Sequence, residues 1–205
     1  MQSFAIMCNG IELPFITQIV SLLTIHSLDG AGQAVLSCVV DPPGGDATTA
    51  MNALPLGGLL SVRIGNGDEM KEVFAGRVQT HRLDATSVGV PQFVLTATSW
   101  SAPATLDDVV VLTAQYGATV ITLACERAWS DSERTELSGG RSPSSLQGNV
   151  LLPGTTRARL GALMSLGGVG SSMGGDVRIV GIHQSLDSGG WTTRVHFRKG
   201  SQTDF

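Results

Sequence analysis

The stretch WTTRVHFRK (191–199) alternates without a break, and that constrains the fold more than any other feature of the chain. Trp191, Thr193, Val195 and Phe197 fall on one side of an extended backbone, and Thr192, Arg194, His196 and Arg198 on the other. A repeat of two belongs to a strand, because a helix would scatter the same residues around its axis. The preceding run DVRIVGIHQSL (176–186) is joined to it by Asp187-Ser188-Gly189-Gly190, which has turn chemistry. Residues 176–199 are therefore predicted to form a β-hairpin with one buried face, carrying Trp191, and one wet face.

Composition extends this reading to the whole chain. Charged residues make up 15%, against about 25% in ordinary globular proteins. Glycine is abundant, at 26 residues, which fits a mainly β protein with many turns. In QIVSLLTIH (18–26), Ile19, Leu23 and Ile25 share one face while Val20, Leu22 and Thr24 share the other, so both faces need cover. QAVLSCVVD (33–41) follows a turn cluster, and the Pro/Gly-rich connection 41–58 has room for a short helix near Thr48 to Leu54. Leu59 to Ile64, the turn GNGDE and a return strand from Val73 to Leu83 make a second hairpin signal. In the return strand Phe74, Val78 and Thr80 are expected to share a face. QFVLTATSW (92–100) adds a strand with Phe93, Leu95 and Ala97 on one side, so the first hundred residues are expected to form a meander of five or six strands. One main α-helix is predicted at about 119–132, capped by Thr119, with Ile121, Ala124, Cys125, Ala128 and Trp129 on one face. Residues 138–149 are expected to be a polar link.

Several classes of function find no support. A net charge of −4 and the lack of a basic stripe do not fit nucleic-acid binding. The N-terminus shows no signal-peptide pattern, and no run reaches the ~20 apolar residues of a membrane span, so synthesis and residence in a cytoplasm are expected. Cys8, Cys38 and Cys125 are far apart and odd in number, and are expected to be reduced and buried. No phosphate-binding loop, dinucleotide fingerprint or EF-hand is present.

Gly170-Ser171-Ser172-Met173-Gly174 matches the letters of a hydrolase elbow, and His183 follows Ser172 by eleven residues. The elbow needs a buried strand before the serine and a helix after it. Here glycines flank the serines, a strand is predicted to follow, and the acid between Ser172 and His183, Asp176, sits too near the serine to reach the far side of an imidazole. A loop is expected. His26, His81, His183 and His196 each stand singly in a predicted strand without metal-ligand spacing, and His183 with His196 is expected to form a cross-strand polar pair. Asp107-Asp108 is read as a loop or helix start, and Asp131, Glu133 and Glu136 as the solvated end of the helix. No catalytic, cofactor-binding or metal-binding residue is assigned.

Three stretches, in order, resemble the phage late control protein D family, the baseplate hub, which is related to the hub part of VgrG-type spikes of contractile injection systems. LGGLLSVRIGNGDEMKEVFAGRVQTHRLD resembles its first hairpin, ITLACERAWSDSERTE its alanine-rich helix, and GNVLLPGTTRARLGALMSLGGVGSSMGGDVRIVGIHQSLDSGGWTTRVHFRKG its C-terminal signature. His183 and Gly189-Gly190-Trp191-Thr192-Thr193 are the most telling residues. The resemblance implies two small tube-protein-like β-barrel modules: residues 1–104 as the first, 105–149 as helix and linker, and 150–205 as hairpins completing the second. It implies a structural protein, not an enzyme, without cofactors. A homotrimer would join the six-fold tail tube protein to the three-fold central spike protein, with other baseplate wedge proteins around it and tape measure protein or DNA in its lumen. Loops 41–58 and 138–149 would grip adjoining layers. Location in the virion tail baseplate after assembly in the host cytoplasm, without membrane insertion, is implied as well. The chain is shorter than typical members, which carry an inserted domain. The alternatives are a cell-wall hydrolase and a receptor- or glycan-binding β-domain of a tail tip.

Overall fold

The computed structural model describes residues 2–13, 19–28, 30–39, 51–66, 69–84, 91–99, 106–126, 145–171 and 173–199. The chain is mainly β. Its strands are β1 Gln2–Cys8, β2 Ile11–Glu12, β3 Ile19–Ser27, β4 Gly30–Val39, β5 Leu59–Asn66, β6 Glu69–Asp84, β7 Gln92–Thr98, β8 Val110–Gln115, β9 Val120–Glu126, β10 Ser145–Pro153, β11 Leu163–Gly167, β12 Gly175–Asp187 and β13 Gly190–Lys199. Residues 51–53 are helical, inside the stretch where a short helix was expected. Among the described residues no helix is long and apolar enough to cross a membrane.

All the strands belong to one sheet, hydrogen-bonded in the order β2-β1-β5-β6-β7-β4-β3-β12-β13-β10-β9, with β11 on β12 and β8 on β11. The order is not a meander: β1 pairs with β5 and β4 with β7, so loops must cross over between them. Two clusters of buried side chains lie along this path. The first gathers Ile6, Leu22, Leu36, Leu60, Phe74, Phe93 and Leu95 from β1 and β3 to β7. The second gathers Ala114, Val150, Met164, Val177, Ile179, Val195 and Phe197 from β8 and β10 to β13. Each fully buried Phe removes enough apolar surface from water to stabilise the fold by about 1.5–3 kcal/mol.

β12 joins the two halves. One of its edges pairs with β13 from Arg178 to Asp187. The other is divided: Gly175 to Arg178 pair with β11, and Gly181 to Leu186 pair with β3. The change of partner coincides with a β-bulge, where the register against β13 slips between Ile179 and Gly181. The carbonyl of the extra residue, Val180, accepts the Leu28 N–H at 2.9 Å, so the bulge is tied to the first half of the chain. An extra residue bends a strand and increases its twist, which lets one strand serve two neighbours.

The final hairpin forms as predicted. Asp187 pairs with Gly190, Gly190 takes φ +102°, and Trp191, Thr193, Val195 and Phe197 are all buried. The predicted helix at 119–132 is corrected. Val120–Glu126 is a strand paired with β10, and residues 127–132 lie outside those described. β-Branched Val120, Ile121 and Thr122 suit a pleated surface, and pairing with β10 outweighs the helical stripe. Part of the expected link 138–149 is also strand, since β10 begins at Ser145; residues 138–144 lie outside the described set. Thr80 does not share a face with Phe74 and Val78. A register slip between Val78 and Thr80 turns it outward, where its hydroxyl meets that of Thr96.

A Cβ on Gly148 would overlap the Thr122 carbonyl oxygen on β9 and press on the Phe197 ring at 2.7 Å. Gly148→Ala is therefore expected to lower stability by about 1–3 kcal/mol, as overpacking of a filled core does. The measurement is a fall in the denaturant midpoint with an unchanged slope.

Candidate assembly interface

The junction of the two halves is held by buried polar side chains. Trp191 lies on β13, yet it packs in the first cluster. Its indole Nε1 donates to Gln184 Oε1 at 2.7 Å, and the Thr193 hydroxyl donates to the same oxygen at 2.6 Å. Gln184 Nε2 donates to the Thr155 carbonyl at 2.9 Å, and the Thr155 N–H donates to Thr193 Oγ1 at 2.8 Å. The network fixes the chain after β10 against the hairpin while the indole reaches across. Sequence reasoning did not single out Gln184. The signal was present, because an amide at an inward position of a strand must find partners. Gln184→Ala would strand the Trp191 indole donor, at about 1–3 kcal/mol, while the Thr193 hydroxyl turns to the Thr155 carbonyl 3.2 Å away; chemical denaturation is the check.

The face opposite the cores is continuous. Leu59, Arg77, Thr98, Gln33, Ile25, His183, Arg194, Leu151 and Val120 stand in one register row across nine strands, and none of them is buried. The row ends on two exposed apolar residues, Leu59 at 53% and Val120 at 65% exposure. Beside Leu59 stand exposed Leu56 and Ile11, and the Asn9 turn is hydrogen-bonded to Leu59 on both its N–H and carbonyl. Near Val120 stands exposed Tyr116, bridged to Thr119. Among the described residues β8 and β9, the two ends of β8-β11-β12-β13-β10-β9, are not paired with each other as strands. The turn between them holds the isolated Tyr116–Thr119 bridge, and the Thr119 N–H donates to the Gln115 carbonyl at 3.1 Å. Next to that turn Tyr116, Ile121, Leu123, Gly168, Val169 and Met173 line an apolar groove of about 340 Å³.

Among the described residues, those weighed for catalysis do not converge. Ser172 lies outside the described residues, and Ser171 beside it is exposed. Asp176 and His183 are on the same strand, seven residues and roughly 23 Å apart at the usual rise. Asp107 and Asp108 precede β8 as a loop and anchor it. Asp108 accepts Arg178 Nη2 at 2.8 Å, Asp107 faces Arg159 at 3.4 Å, and Arg178 also donates to the Gly161 carbonyl at 2.6 Å. Asp131, Glu133 and Glu136 lie outside the described residues. Cys8 and Cys38 are free and buried, and burial pushes the Cys38 thiol up to about 12. Cys125 lies on β9.

The four histidines divide into two kinds. His26 Nε2 is 2.9 Å from the Val73 carbonyl oxygen, and His81 Nε2 contacts the Leu54 carbonyl. His183 and His196 lie side by side on the outer face, with ring centroids 4.4 Å apart, so the cross-strand pair forms. Burial holds His26, His183 and His196 below their ordinary value of 6.5. Arg194 lowers His183 and His196 further, and His196 also lowers His183. The unfolded chain therefore binds more protons than the folded one just below pH 6.5, and stability falls as pH drops through that window. The melting temperature is expected to decrease from pH 7.5 to pH 5, and His196→Gln is expected to flatten that slope.

No protein-family model matches the chain. No curated protein matches it in sequence. Solved structures do match. The tail protein from Neisseria meningitidis MC58 superposes with a TM-score of 0.65 at 9% identity, over 97% of this chain and 96% of that one. The 43 kDa tail protein of prophage MuSo2 from Shewanella oneidensis gives 0.64 at 10% identity, over 96% and 97%. The E. coli c3393 protein, a type VI secretion system component with structural similarity to T4 bacteriophage tail proteins gp27 and gp5, gives 0.59 at 8% identity, over 94% and 76%. At such identities the likeness is one of fold: nearly the whole chain has the fold of these tail proteins.

Proposed function

We propose that this chain is a structural subunit of the baseplate hub of a contractile phage tail or related injection system, acting by geometry and not by catalysis. One observation carries the reading. A single polypeptide places two hydrophobic clusters on one sheet path through the shared strand β12, so three copies would present six such units. A three-fold ring with six repeating units has the symmetry needed to seat a six-fold tube protein on one side and a three-fold spike protein on the other. The fold likeness to phage tail proteins and to the type VI component supports the same setting.

The ends of the sheet support ring closure. A cyclic trimer is heterologous, so each subunit must offer two different surfaces that fit one another. The exposed apolar groups around Leu59 and around Val120 lie at opposite ends of one register row. The gap between β8 and β9 leaves an unpaired edge and an apolar groove of the kind a neighbouring copy covers. In such a ring the unburied face of the sheet borders the lumen, through which tape measure protein or DNA would pass.

The test is native mass spectrometry of the chain alone and mixed with a tail tube protein and a central spike protein from the same genome. A trimer is expected, alone or on mixing, and Val120→Asp is expected to reduce it to folded monomers. A well-folded monomer that ignores both partners would overturn the proposal.

A further inference from the structure

The outer face of the final hairpin carries an arrangement that ring assembly does not use. His183 pairs across the strands with Arg194, two residues before His196, so the two histidines are diagonal neighbours. Their ring centroids are 4.4 Å apart and their planes are tilted by 47°. The bulge at Val180 puts Gly181 opposite His196, where a Cβ would stand 3.2 Å from the His196 Cβ. The glycine therefore lets the β12 backbone pack closely against that side chain.

The ring nitrogens of the pair are unspent. His26 and His81 each commit one nitrogen to a backbone carbonyl. Neither His183 nor His196 hydrogen-bonds to a described residue, and His196 Nε2 is buried without a partner. A buried nitrogen in that condition calls for an explanation, and an ion is one that fits. A neutral imidazole carries a free lone pair on one ring nitrogen, which is what a metal ion needs. Neutral imidazole suits zinc, nickel and copper, whereas magnesium and calcium require oxygen ligands. With metal–nitrogen bonds of about 2.0–2.1 Å, two imidazoles on one ion near a right angle bring their ring centres within about 4.5–5 Å. The observed separation needs only a small adjustment to reach that. Asn149 stands directly opposite His196 on β10 and offers an amide oxygen on the same face. Arg194 is exposed, so its guanidinium can turn to solvent when a cation enters.

We propose that His183 and His196 form a two-imidazole site for one divalent ion of the zinc, nickel or copper class, with Asn149 and water completing its shell. The ion would clip β12 to β13 just beyond the bulge where β12 changes partner, so loading would stabilise the junction of the two halves.

The experiment uses the untagged full chain, stripped with EDTA and titrated calorimetrically with ZnCl2 at pH 7.5, with NiCl2 and MgCl2 in parallel. Saturable binding of one zinc ion per chain is expected, with a rise in melting temperature that EDTA reverses and no response to magnesium. Histidine ring-nitrogen NMR is expected to show zinc-dependent shifts at both His183 and His196. His183→Ala and His196→Ala are each expected to abolish the binding, and His81→Ala to leave it intact. Should His196→Ala fail to fold, His183→Asn and the ring-nitrogen shifts of the wild type decide the matter. Absence of saturable binding, its survival in His183→Ala or His183→Asn, or shifts confined to His26 and His81 would overturn the site.

Discussion

The architecture depends on a single strand satisfying two sets of neighbours. Backbone N–H and C=O groups withdrawn from water must be paired, and β12 supplies partners to β11, β13 and β3 at once. It can do so because the bulge at Val180 changes its course at the point where its pairing with β11 stops and its pairing with β3 starts. Without that junction the two clusters would share only a linker. With it, they sit on one hydrogen-bonded sheet.

Side chains reinforce the same place. Trp191 leaves the second half of the chain to pack in the core of the first, and Gln184 accepts both its indole N–H and the Thr193 hydroxyl. A buried network of this kind stabilises little when complete and costs much when broken, because each donor loses water and gains one partner. It specifies which residues face one another more than it adds to stability. The turn before Trp191 acts with it: Ser188–Gly189, closed by the Asp187–Gly190 pair, sets the register that points the indole inward.

The strands were legible wherever a period of two ran unbroken and one face was buried. The final hairpin, the turn at Asp187 and the inward set Trp191, Thr193, Val195 and Phe197 all follow from that pattern, as do Phe93, Leu95 and Ala97 on β7. The pattern failed where two periods competed. Ile121, Ala124 and Cys125 fit a helical stripe as well as a strand, and only the eventual neighbour, β10, decides between them. It failed again at Thr80, since a bulge shifts every later residue to the other face and leaves no mark in an isolated sequence. In the candidate site, the hairpin and the adjacency of His183 and His196 could be anticipated. The exposed ends around Leu59 and Val120 could not, because they are defined by which strands lack partners.

Taken alone, the sequence determined a mainly β chain, its turns, most of its inward-facing residues and the pairing of its last two strands. These are local matters, settled by side-chain periodicity and by glycine's tolerance of positive φ. Only the tertiary structure decided the order of strands, the sharing of β12, the sheet row that runs from Leu59 to Val120 and the orphaned nitrogen of His196. Each of these depends on contacts between residues far apart in the chain, whose cost in chain entropy and gain in burial are set by the whole molecule and not by any segment.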